Sequence, residues 1–267
     1  MDSLIGSFPQ KSQRSARVRS DCFVRNIFLG LLFVFSWLVL SLMVGRVFAA
    51  PHLLPDLYYA SASDEYQEKL RDVFKQGYGS GVVLNCLVTP SFSTEYLVGV
   101  RSDDSGVFVF SMTPGSRVAN VQWLEAVENG ELKKYDEFGE ELNYSKDSVY
   151  WGLRKVTPRD HRQITVDVKR KVIPLDVSNE IASVWRSALL GVRREEEPEI
   201  ILDGAVYHYS MRLKGYGVVS GQVSSPVNYV KMRALTELAD AMYAYSKGDV
   251  DVEVLMQKIK IYKSGAD

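Results

Sequence analysis

Hydrophobic positions divide the chain into one long apolar run and a body of short alternating or helical stripes. Ile27 to Gly45 holds 19 residues without a charge, broken only by Ser36 and Ser41. As a helix rising about 1.5 Å per residue, such a run spans about 28 Å, the hydrocarbon thickness of a bilayer. Pro51 to Ala62, with two prolines, reads as an extended tether. Ser63 then reads as a helix N-cap, with acids in the first turn and Leu70, Val73 and Phe74 at helical spacing; Gly77 and Gly79 end that helix. Val82–Val88, Tyr96–Val100 and Val107–Met112 are rich in β-branched or aromatic residues. Thr89-Pro90-Ser91 and Asp103-Asp104-Ser105-Gly106 bound them, which predicts an antiparallel meander.

The middle of the chain is less regular. Val121 to Leu124 predicts another strand, Glu128-Asn129-Gly130-Glu131 a turn, and Leu132 to Lys155 shows no clean period. From Ile164 to Val172 the alternation returns: Ile164, Val166 and Val168 face one way, Thr165, Asp167 and Lys169 the other. Pro174-Leu175-Asp176 opens a helix with Ile181, Val184, Trp185, Ala188 and Leu189 on one face, which puts Trp185 in the core. After a charged loop at Arg193 to Glu197, Ala205–Arg212 and Val218–Val223 form a hairpin across Lys214–Gly217. Two helices close the chain, one striped by Val230, Leu235, Leu238, Met242 and Tyr245, the other from Val252 to Tyr262. This order predicts an α+β fold. An antiparallel β-meander and a C-terminal β-hairpin pack against helices, preceded by one N-terminal membrane-targeting helix. The expected division is a basic leader at 1–26, a membrane or signal segment at 27–45, and one domain at 50–267 with a C-terminal subdomain at 174–267.

Charge orients the apolar run. Lys11, Arg14, Arg17, Arg19 and Arg25 stand before it against Asp2 and Asp21, and only Arg46 follows closely. The positive-inside rule keeps the amino terminus in the cytoplasm and sends the body outward. Val47-Phe48-Ala49 before Ala50-Pro51 suits signal peptidase, whereas the run exceeds the roughly 7–15 residues of a signal core. Two outcomes stay open: export to the periplasm or cell envelope after cleavage behind Ala49, or a single-pass inner-membrane protein with its N-terminus in the cytoplasm. Beyond residue 49 the chain has 26 basic and 31 acidic residues, a net charge of -5 that argues against nucleic acid as a partner. Cys86 is the one cysteine of that body and reads as a buried small hydrophobe.

Motif chemistry is sparse. Gly77-Tyr78-Gly79-Ser80-Gly81 precedes a strand and lacks a following Lys-Ser/Thr pair, so it reads as a turn rather than a phosphate loop. Three histidines in the whole chain supply too few ligands for a zinc centre, and no motif calls for a cofactor. The hairpin is the exception. Alternation sends Val206, His208, Ser210 and Arg212 to one face and Tyr207, Tyr209 and Met211 to the other. With Gln222 opposite, His208, Ser210, Gln222 and Arg212 form a candidate binding face.

Two functional classes follow. One is an extracytoplasmic binding or interaction module, inhibitor or immunity-like, whose partner is an envelope protein or a small ligand. The other is a hydrolase on the His208 face, with Asp203 as orienting carboxylate. Val172-Ile173-Pro174-Leu175-Asp176, Val184-Trp185-Arg186 and Leu202-Asp203-Gly204 with Tyr207-His208 resemble an uncharacterised group of small exported bacterial proteins. The likeness covers roughly the last 100 residues. It implies a bacterial envelope location and no particular activity.

Overall fold

The computed structural model describes residue 53 and residues 64–135, 141–142, 144, 147–193, 204–225 and 229–265. The apolar run at 27–45, the cleavage motif at Ala49, the cap at Ser63, most of the charged loop and Asp203 lie outside these residues. Among the described residues no helix is long and apolar enough to cross a membrane.

Helix α1 (Asp64–Val73) runs into a 3-10 turn at Lys75–Tyr78, and the meander follows as β1 (Val82–Pro90), β2 (Tyr96–Asp103) and β3 (Gly106–Pro114). At the β2–β3 turn the Asp103 carboxylate accepts hydrogen bonds from the backbone and hydroxyl of Ser105, and Gly106 takes φ 130°. Next come α2 (Val118–Glu128), two-residue strands β4 (Lys134–Tyr135) and β5 (Glu141–Leu142), and α3 (Ser148–Val156). Strand β6 (Val166–Val172), α4 (Leu175–Leu190), the hairpin β7 (Ala205–Leu213) and β8 (Gly217–Ser225), and helices α5 (Val230–Lys247) and α6 (Val252–Ser264) complete the order.

Six strands form one antiparallel sheet in the order β6-β3-β2-β1-β7-β8. In β1 the run Leu84 to Val88 is buried at every position, as expected for a strand covered on both faces. Leu84, Cys86 and Val88 join Val98, Val109 and Tyr209 under α4, α5 and α6, where Trp185, Leu235, Leu238 and Met242 are fully enclosed. Leu87, Leu97, Phe110 and Met112 point the other way and meet Leu70 of α1, Phe74 just after it, and Val118 and Val121 of α2. Buried Lys69 on α1 bridges Glu65 and, on α2, Glu125. The α+β class is therefore present as an antiparallel sheet with helices on both faces.

Two expectations change. Val121 to Leu124 belongs to α2, not to a strand. Val118, Val121 and Leu124 recur three apart and bury one stripe, and the helix begins where Glu95 accepts from the N–H groups of Val118 (3.0 Å) and Ala119 (2.9 Å). That carboxylate comes from just before β2, so no local cap announced the helix. Within the irregular stretch, α3 starts at Asp147, whose side chain accepts from Val149 and Tyr150, and it buries none of its residues. In the expected tether, Leu53 is fully buried in the first core and its carbonyl accepts from the Arg193 N–H at 3.1 Å.

Candidate functional site

Sheet register lines the α1-side face up in rows that cross all six strands. One row runs Ser220, Ser210, Asn85, Gly99, Phe110, Arg170; the next runs Gln222, His208, Leu87, Leu97, Met112, Val168. The hairpin residues singled out from the sequence thus share a face with β6, at the opposite end of the sheet. Between them lies the 3-10 turn. A Cβ on Gly77 would meet Leu97 Cδ2 at 2.7 Å, so glycine lets this turn press onto the middle of the sheet. Asn85 fastens it there by donating to the Gly77 carbonyl at 2.9 Å.

At the hairpin end, His208 pairs with Gln222 and Ser210 with Ser220, so His208, Ser210 and Gln222 do share one side. Their environments differ. Ser210 is half-buried and donates to Asn85 Oδ1 at 2.6 Å, which commits its hydroxyl to tying β7 to β1. His208 is half-buried and Arg212 exposed, while Gln222 keeps only 1% of its surface, more enclosed than a residue of an open recognition face.

The other end of the same face is a trough. Phe108, Phe110, Met112 and Val168 floor a cavity of about 280 Å³, rimmed by Gln76, Arg101, Asp103 and Arg170. A second cavity of about 220 Å³ shares Gln76, Met112 and Val168 and extends toward Lys75, His161 and Arg162. Gly99 makes the floor possible: a Cβ there would lie 2.4 Å from the Leu84 carbonyl oxygen and 2.9 Å from the Phe110 ring. Across the floor the guanidinium of Arg101 sits 5.2 Å from the Phe110 centroid, and that of Arg170 5.3 Å from Phe108.

These two arginines carry spare donors. Arg101 Nη2 donates to the Gln76 carbonyl at 2.5 Å, but its Nε is buried without an acceptor. Arg170 has no hydrogen bond or ion pair among the described residues. Asp103 is the one acid on this rim. The Ser105 hydroxyl and amide, with help from Arg170 and Arg101, hold its carboxyl below the usual range. At the far end the acids are engaged: Asp72 faces His161 Nε2 at 3.1 Å, and Asp160 pairs with Arg162 at 2.5 Å. The Arg162 hydrogen bonds pull Asp160 down to about 2. Lys75 is exposed there without an ion pair among the described residues.

A separate polar cluster lies on the α5 side. Tyr96 and Tyr207 donate to the Asp240 carboxylate at 2.5 and 3.1 Å, and the Tyr96 and Tyr243 rings pack at 4.3 Å. Much of Asp240 remains in solvent, yet its carboxyl pKa is raised, first by desolvation beneath the two rings, against the two hydroxyl donors. Burial likewise pushes both tyrosines up. This cluster ties α5 to β2 and β7.

Arg101, Phe108, Phe110 and Arg170 were not evident as a site in the sequence. Both parities of β3 are apolar from Val107 to Phe110, so alternation cannot say which face is open, and each arginine comes from a different strand. The one available signal was Arg101 directly after a buried run in β2. No protein-family model, no curated protein and no solved structure matches the chain.

Proposed function

We propose that this chain is a cell-envelope binding module that holds an anionic ligand in the trough over Phe108 and Phe110. The basic leader and the apolar run at 27–45 direct the body out of the cytoplasm, as a retained anchor or a cleaved signal. One observation carries the binding reading. Two guanidinium groups stack on the floor of one cavity, the first with a buried unpartnered Nε and the second with no ion-pair partner among the described residues. Stacking on a ring fixes the guanidinium plane in advance, and arginine's fork matches carboxylate or phosphate oxygens in pairs. Two cations against Asp103 leave the rim net positive within a body of net charge -5.

Calorimetric titration of the full chain in detergent with glutarate, a small dicarboxylate, tests this. Saturable heat that is lost in Arg170→Ala, with the melting temperature kept, is expected. Absence of saturable heat, or equal heat in Arg170→Ala, would contradict the proposal.

A further inference from the structure

We infer that the natural occupant of the trough is an extended acidic segment of a protein partner, which adds to β6 as a seventh strand; this rests on the anion-binding reading above. Strand β6 is an edge of the sheet, paired among the described residues only with β3. Its trough-side residues are open: Val168 keeps 48% and Val172 70% of their surface. Lys169, Arg170 and Lys171 by themselves would be the usual charged protection of an edge. Two features go beyond protection. Lys169 and Lys171 point to the other face and are engaged there, Lys169 with Asp167 at 3.3 Å and Lys171 with the Val250 carbonyl at 3.3 Å. Arg170 points into the trough, where it lies over Phe108 and its side chain has no hydrogen bond or ion pair among the described residues.

The second feature is the order of chemistry along the strand. Arg170 and Arg101 stand at one end, Val168 and Met112 in the middle, and exposed Lys75 near Val166 at the other end, where Arg162 is already paired with Asp160 and Asp72 with His161. From residue 170 to residue 166 is about 13 Å at roughly 3.3 Å per residue. An added strand places every second side chain on the trough face, so the matching sequence is acid, any residue, apolar, any residue, acid. Its main chain would bond to the free edge of β6 while its alternate side chains meet the cation, apolar and cation stations. A small anion would occupy only the first station.

The probe is the blocked peptide acetyl-Glu-Thr-Val-Thr-Glu-amide, titrated calorimetrically into the full chain in detergent beside glutarate. Two isomers separate ladder bonding from charge: one N-methylated at both threonines, the other at the valine and the second glutamate. In a strand, alternate residues turn their N–H to opposite edges, so only one of these sets can face β6. The expected result is that the parent peptide binds more tightly than glutarate. One isomer should weaken by about tenfold or more, the equivalent of two lost hydrogen bonds, while the other binds like the parent. Isomers that both match the parent, or both weaken alike, would overturn the seventh-strand inference, as would glutarate binding as tightly as the peptide. The anion site would survive each of those results. Failure of both peptide and glutarate to bind would remove the anion site as well.

Discussion

Trp185 shows how much one residue holds in this fold. Its ring is fully enclosed, meets Tyr209 edge-on at 5.2 Å, and its indole N–H reaches the Asn85 carbonyl at 3.4 Å. Trp185→Ala is therefore expected to cost about 3–5 kcal/mol in denaturant melts, and an unchanged midpoint would contradict the packing described. Its burial was legible because Ile181, Val184, Ala188 and Leu189 recur at helical spacing around it. Asp240 was not legible, since its partners Tyr96 and Tyr207 come from two other elements. Its raised pKa gives a pH dependence of fixed sign. An acid whose folded pKa exceeds its unfolded value binds more protons folded, so its contribution is greatest at low pH. That contribution is lost as pH rises from the ordinary carboxylate range through the folded value. The stability of the wild-type chain relative to Asp240→Asn should fall over that window; a difference flat with pH would contradict the desolvation argument.

At the scale of elements, helix α2 depends on a residue outside it. Glu95, fully buried, accepts from the first two N–H groups of α2 and from the Tyr66 hydroxyl at 2.8 Å, joining α1, α2 and β2 at one carboxylate. Glu95→Ala removes the acceptor of three hydrogen bonds, one of them from the buried Val118 N–H, and should cost about 1–3 kcal/mol, whereas Glu95→Gln keeps an acceptor and should lose less. Equal melting temperatures for the two variants would remove this capping role. The same long-range cap explains why Val121 to Leu124 read as a strand: its β-branched Val121 was visible, its cap was not. Strands β1, β2, β3, β6, β7 and β8 were legible because each carries its own bounding turn residues or alternation, whereas α3 is only nine residues long within a stretch of mixed charge and aromatic residues.

For the whole molecule, the α+β class followed from element order, but the sheet order did not. Placing β7 beside β1 and β6 beside β3 brings the hairpin residues and the arginine trough onto one face, at ends separated by α1 and the Lys75–Tyr78 turn. The hairpin was legible because both its strands are contiguous in sequence. The trough draws on β2, β3, β6 and the 3-10 turn, a convergence that only the complete sheet reveals. The proposed export is also tested on the full chain. A reporter fused behind Asp267 should be active only if it functions outside the cytoplasm, and activity of a cytoplasm-only reporter would contradict the orientation drawn from the basic leader.

The most direct test of the anion trough is a chemical-shift map of the isotope-labelled full chain in detergent micelles, titrated with glutarate. Saturable shifts centred on Arg101, Phe110, Val168 and Arg170, absent in Arg170→Ala, are expected. Shifts centred instead on His208, Ser210 and Arg212, or no saturable shift at all, would contradict the anion trough.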